Sequence, residues 1–528
     1  MRSLLLFPDR DLTMLTSRRS RVTKNTKYPS PGGADVADLE LDVLWDAMGG
    51  GDEFVRAVAA AVMHQPLTDP DEIVYRQEIL IDALRDVDAI RALHKLAVDA
   101  VDAENDVYRS PFRDSGEQTL RRSVKVLALF VSTLRSLREL AQRKGSQATS
   151  PGLIRFYEQA RTELGEDYLE EIEHHVKTLG FTHGLVLSAS LGPGNAGTDY
   201  VLRAPLDRNR GSWWHHGQLK QPTYGFTIAD RDQAGFEALA RMRDRGVSLV
   251  ARALSEAVDH VLDFFVALRA ETAFYLGAVN LQAKLTAIGH EVCRPTVQAP
   301  GRTLEAAGLY EPCLALRRGC EVIGNDLRSD DIDLIVVTGA NQGGKSTFLR
   351  SVGLAFTMAQ SGLFVAASQF SCSLTTGLFT HFMREEDRTM VAGKFDEELA
   401  RMSTIVDDIR PGALLLCNES FAATNEREGS QIAAELVAAL REQDVRVVFV
   451  THMFDLAGRY VDDDTALCLR ADRSDDGNRS FRLEVAPPTP TAFGADLYRR
   501  TFDTDGATRP SPTTSDEAAE QAAVGSSL

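Results

Sequence analysis

One octapeptide restricts this chain more than any other feature. Gly339-Ala340-Asn341-Gln342-Gly343-Gly344-Lys345-Ser346 satisfies G-x-x-x-x-G-K-[ST] between an apolar strand, residues 331–337, and a helical stretch, residues 347–360. That setting is the one the motif demands. Gly339, Gly343 and Gly344 let the loop curl so that backbone N–H groups converge on phosphates, and the following helix turns its positive end on the same anion. Lys345 is expected to neutralise the β- and γ-phosphates of ATP. Ser346 is expected to offer a hydroxyl oxygen to Mg²⁺, with Thr347 beside it.

A second strand, residues 413–418, ends in Asn418-Glu419. A strand-end acid beside a phosphate loop is placed to take a proton from the attacking water, so Glu419 is the candidate general base. The position before it ordinarily carries an Asp that helps hold Mg²⁺, and here it is Asn418. A neutral amide oxygen loses the ionic attraction, which predicts weaker metal binding and slow turnover. A third strand, residues 445–450, leads into Thr451-His452, where an imidazole can hydrogen-bond the γ-phosphate and report its presence.

Around these strands the rhythm is short β-branched segments alternating with helices, which predicts a parallel sheet flanked by helices over residues 301–500. Upstream the rhythm is helical. Residues 71–110 contain neither Gly nor Pro and repeat apolar residues at three- and four-residue steps, as one long helix or two. Residues 117–144 and 247–276 repeat the pattern, and forty helical residues reach roughly 60 Å, so these read as levers or a bundle. Residues 181–229 interrupt them with three short strands, at 183–190, 199–204 and 223–229, between Gly-rich turns. The Trp213-Trp214-His215-His216 cluster there fits packing against a sheet, and also base stacking or metal binding. The expected fold is therefore multidomain. Residues 1–37 form a loosely held basic arm and residues 38–300 an α-helical core and lever domain with a small β-rich insertion. Residues 301–500 form an α/β P-loop NTPase domain, and residues 501–528 a disordered tail rich in Thr, Ser, Asp, Ala and Pro.

Composition narrows the functions. A chain of 528 residues exceeds a single core. Lys plus Arg number 58 against 76 Asp plus Glu, a formal charge of −18 that opposes charge-driven coating of nucleic acid, so any basic surface is local. Six cysteines without CxxC spacing fit reduced thiols. With no apolar run of transmembrane length and only residues 4–7 as an N-terminal apolar run, a cytoplasmic protein away from membranes is expected.

Residues 338–347 (TGANQGGKST), Asn418-Glu419 and Thr451-His452-Met453-Phe454-Asp455-Leu456 resemble, in order and spacing, the ATPase domain of the MutS mismatch-repair family. Pro66-Leu67-Thr68-Asp69-Pro70 with Arg76-Gln77 is similar to the start of that family's helical core, and Asn325-Asp326 fits before the nucleotide strand. The resemblance implies an ABC-type ATPase that forms a homodimer with composite ATP sites beneath helical levers enclosing DNA. Carried over by position, Asn341 and Gly343 to Thr347 hold the phosphates, Glu419 activates water and His452 faces the γ-phosphate.

Departures from the family pattern accompany it. About 37 residues precede the helical core, too few for mismatch-reading and connector domains. Phe395-Asp396-Glu397 matches the mismatch wedge only superficially, since it falls inside the ATPase. The trans-acting Gly-x-Ser-Thr-Phe segment is replaced by Gly393-Lys394-Phe395, where Lys394 is the candidate to reach the partner's γ-phosphate instead. Residues 418–430 (NESFAATNEREGS) resemble a divergent MutS-like subgroup. The expected function is an ATP-hydrolysing clamp on duplex or structured DNA that does not read single mismatches. The rival is a nucleotide-gated switch for protein partners, with little hydrolysis and no DNA.

Overall fold

The computed structural model describes residues 2–10, 36–107, 115–181, 184–195, 197–203, 225, 227–340, 342–383, 393–473 and 479–489. The upstream part is helical, and its helices begin where the chain supplies caps. Asp69 accepts from Asp71 N–H and Pro70 occupies the first turn of helix Pro70–Arg85. Asp86, at φ −128 and ψ 73, ends that helix and caps Val87–Asp106 by accepting from Ala89 N–H. The described part of the run, 71–107, is thus two helices broken at one aspartate. Ser115 and Gln118 close a reciprocal capping box at the start of Gly116–Lys144.

The lever expected over 247–276 is longer than its apolar stripe: helix Gln233–Ala287 has 55 residues, about 80 Å at 1.5 Å per residue. Its C-terminal half is buried through Phe265, Leu268, Phe274, Tyr275 and Leu281, whereas toward the other end Leu249 is 72% exposed. Near that outer end strands Val186–Leu191 and Gly197–Arg203 pair antiparallel, and Leu202 packs on a small cluster of Leu120, Val247 and Ala251. No strand occurs in the described part of 223–229. The Trp213 to His216 cluster and residues 501–528 lie outside the described residues.

Residues 2–10 depart from the expected loose arm. Leu5 and Leu6 are fully buried. Leu5 N–H donates to Glu271 at 2.9 Å, the Tyr275 hydroxyl to Leu5 O at 2.5 Å, and Arg76 Nε to Leu6 O at 2.8 Å. Within 2–10 the apolar run at 4–7 decides the outcome, and the basic residues expected to be solvated, 18–27, lie outside the described residues.

In the α/β part, a six-stranded sheet runs in the order Arg479–Val485, Ala466–Arg473, Leu334–Gly339, Arg446–Val450, Leu414–Asn418, Leu378–Phe382. All neighbours are parallel except the first pair. A four-stranded mixed sheet pairs Thr296–Gln298, Gln369–Ser373, Leu304–Leu309 and Asn325–Ser329. Helix Lys345–Gln360 joins the α/β part to the helical part. Arg350 Nε donates to Asp38 O at 3.0 Å, and Gln360 exchanges hydrogen bonds with the Leu67 backbone at 2.7 and 3.0 Å. One apolar core runs without a break through Leu39, Leu44, Phe274, Leu349 and Phe356. Among the described residues no helix is long and apolar enough to cross a membrane.

Candidate functional site

Sheet register brings the expected site residues together. Val450 pairs with Val337 on one side and Asn418 on the other, so three loops leave the same edge, the carboxyl end of a parallel sheet where ligands bind in α/β folds. The loop after Leu334–Gly339 turns through left-handed backbone at Gly339 (φ 115), Gln342 (φ 61) and Gly344 (φ 93). At Gly339 a Cβ would stand 2.8 Å from Ala471 N, so only glycine fits there. Gly344 is the N-cap of Lys345–Gln360, which aims the helix's free N–H groups at the loop's hollow. Asn341 lies outside the described residues.

Lys345 is 6% exposed. Its Nζ donates to Gly339 O at 3.0 Å and Ala340 O at 3.3 Å and stands 4.0 Å from Glu419 Oε1. Burial pushes the ammonium pKa down from its ordinary value, and the Glu419 carboxylate opposes that shift. A buried cation held by carbonyls, with its carboxylate beyond hydrogen-bond reach, suits an anionic ligand. Ser346 Oγ donates to Asn418 Oδ1 at 2.9 Å. This hydroxyl and amide are the oxygen donors that fit a hard divalent cation, which phosphate oxygens would have to complete. Among the described residues no group of three His, Cys, Asp or Glu could hold a metal alone.

Glu419 sits at φ 54 with its N–H on Val450 O at 2.9 Å. Its Oε2 accepts from His452 N–H at 3.1 Å and lies 2.6 Å from His452 Nδ1. The hydrogen bond to Glu419 raises the His452 pKa, against the effect of burial. The expected sensor therefore engages the expected base, and it does not line the adjoining cavity.

That cavity, about 570 Å³, is lined on one side by Gln342 to Thr347 and Glu419 and on the other by Val322, Ile323 and Phe481. Ile323 and Phe481 are 47% and 46% exposed, an apolar pair facing the phosphate-type loop, as a planar base requires. Asn325 explains how Phe481 arrives there: its Oδ1 accepts from Leu483 N–H at 2.7 Å and its Nδ2 donates to Phe481 O at 3.3 Å. The Asn325-Asp326 pair was visible in the sequence. The apolar pair was not, because Phe481 lies on an edge strand far along the chain with no local signal. A larger cavity of about 650 Å³ lies among the upstream helices, lined by Phe130, Leu134 and Phe264. Neither the glycine loop nor the strand-end acid borders it.

Gly393 caps helix Lys394–Asp408, and Phe395 packs against the cluster containing Phe379, Met402 and Phe421. Neither Lys394 nor Phe395 borders the cavity of its own chain.

Residues 68–288 match the family model described as MutS2 N-terminal domain, and residues 335–482 match MutS domain V. The chain is 27% identical over 276 residues to "DNA mismatch repair protein MutS" of Thermus thermophilus, covering 51% of this chain and 32% of that protein. Identity is 29% over 160 residues to "Endonuclease MutS2" of Carboxydothermus hydrogenoformans, covering 30% of this chain and 20% of that protein. "DNA mismatch repair protein MutS" of Lactococcus lactis is 25% identical over 277 residues, covering 48% and 32%. These alignments span about a third or less of each relative.

Proposed function

Since this chain is a divergent member of the MutS family, we propose that it is an ATP-binding and slowly hydrolysing ATPase of the ABC type that clamps duplex or structured DNA as a homodimer. The observation that carries this reading is the convergence of Lys345, Ser346, Asn418 and Glu419 at one sheet edge, beside a cavity of about 570 Å³ with an apolar wall. The loop from Gly339 to Thr347, including Asn341, would hold the triphosphate, with Lys345 as counter-charge and Ile323 and Phe481 against the base. Mg²⁺, when bound, would supply charge neutralisation at the phosphate oxygens through Ser346 and Asn418. Glu419 would orient water and take its proton as the terminal P–O bond breaks, and His452 would hold the Glu419 carboxylate. The long helix and its hairpin would reach DNA, and six free thiols fit a cytoplasmic setting.

Asn418 favours a second reading, a nucleotide-gated switch for protein partners with little turnover. Its amide meets Ser346 without a negative charge, so Mg²⁺, when bound, would be held less tightly than by a carboxylate. Phosphate release by the wild type and by Glu419→Gln separates the two. A working base gives a fall of about 10²-fold in the variant with ATP affinity kept. Equal rates reject Glu419 as the base and leave the switch.

A further inference from the structure

The turn after strand Leu414–Asn418 holds its candidate base in left-handed backbone twice within three residues, at Glu419 (φ 54) and Phe421 (φ 63). Non-glycine residues keep such a conformation only where their surroundings enforce it. Ser420, between them, is fully buried, with Oγ 2.8 Å from His381 O and 2.7 Å from His381 Nδ1. The Phe421 ring stacks on the His381 imidazole, with centroids 5.7 Å apart and planes at 23°. His381 comes from the neighbouring strand Leu378–Phe382 and is itself fully buried.

The other side of that imidazole meets helix Lys394–Asp408. His381 Nε2 is 3.1 Å from Glu398 O, and Arg401 donates to Phe382 O at 2.7 Å. The Ser420 hydroxyl gives its one proton to His381 O, so Nδ1–H donates to Ser420 Oγ, while Nε2 faces Glu398 O and, at 3.4 Å, the Arg401 guanidinium. Burial raises the pKa of the Glu398 carboxyl, opposed by the Arg401 and Lys394 charges and by the Ala423 and Phe421 N–H groups. The strained turn is therefore held from one flank by a single imidazole and the helix behind it.

We propose that His381 is a positioning residue for Glu419, locking the turn through Ser420 and tying it to helix Lys394–Asp408. This rests on the reading of Glu419 as the base. Packing alone would be served by an apolar side chain, as in Phe379 and Phe382 of the same strand. A hydrogen-bonded imidazole instead sets the direction in which the neighbouring carboxylate leaves the turn, and small misplacement of a catalytic group lowers the rate steeply.

The test measures phosphate release at saturating ATP, ATP affinity and melting temperature in the full chain for S420A, H381F, H381N, H381Q, E419Q and E419Q/S420A. The expected results are a fall of about 10-fold or more in the release rate for S420A and H381F, with ATP affinity unchanged. H381N should recover more than H381Q, because an asparagine amide overlays Nδ1 and a glutamine amide overlays Nε2. E419Q/S420A should be no slower than E419Q, since the effect passes through Glu419. Wild-type turnover in S420A, or an S420A effect of the same factor on the E419Q background, overturns the proposal even if H381F fails to fold. A slow E419Q with a fast S420A rejects only the positioning role, whereas an E419Q as fast as wild type rejects Glu419 as the base and this proposal with it.

Discussion

Lys345 shows how one residue's burial becomes a binding prediction. Its ammonium is out of water, hydrogen-bonded to two loop carbonyls with the Glu419 carboxylate 4.0 Å away, so a phosphate chain would add charge-assisted hydrogen bonds worth about 1.5–3 kcal/mol. Lys345→Ala is expected to weaken ATP binding by roughly 10- to 100-fold in calorimetry, with the fold retained. Retained tight affinity would make the loop a structural feature only. His452 carries a pH signature. Its folded pKa is raised above the ordinary 6.5 by the Glu419 hydrogen bond, so the stability it adds is fully present below 6.5 and lost as pH rises through the raised value. Urea unfolding of the wild type should show that loss as pH rises from 6.5 through His452's raised pKa, and Glu419→Gln should flatten it. Lys345, Ser346 and Thr347 were legible because a contiguous motif states its own geometry. Ile323 and Phe481 were not, since each matters only through a wall that sheet order assembles.

At the scale of elements, Asp86 decides what periodicity left open, whether residues 71–110 form one helix or two. It ends one helix, caps the next through Ala89 N–H at 3.1 Å and pairs with Lys144 Nζ at 2.6 Å. Asp86→Ala should cost about 1–2 kcal/mol in urea denaturation, mostly from the lost cap, and leave ATP affinity unchanged. An unaltered midpoint would show that Asp86 is dispensable at the break. The long helix teaches the complementary lesson. Its apolar stripe marks only the part that buries a face, whereas the outer turns, with Arg241 and Glu237 paired at 3.6 Å on an exposed surface, project away from the core. A helix without a face to bury has no periodic apolar signal to read.

For the whole molecule, a charge of −18 and a DNA-clamping reading agree only if basic surface is concentrated where DNA would pass. A salt titration of duplex binding tests that: log affinity should fall linearly with log salt concentration as counterions are released. Absent or salt-insensitive binding would favour the protein switch. If nucleotide binding moves the upstream helices, as the proposed clamp requires, the core and hydrogen bonds that continue from Lys345–Gln360 into them would carry it. The sequence by itself determined the phosphate-loop motif, the alternation of strands and helices, the helical upstream region and the family, because each is written in neighbouring residues or in a repeating period. Only the tertiary structure decided that Leu5 and Leu6 are core, that His452 grips Glu419 and that Phe481 walls the cavity. Those relations depend on strand order and on contacts between residues far apart in the chain, which no local pattern encodes.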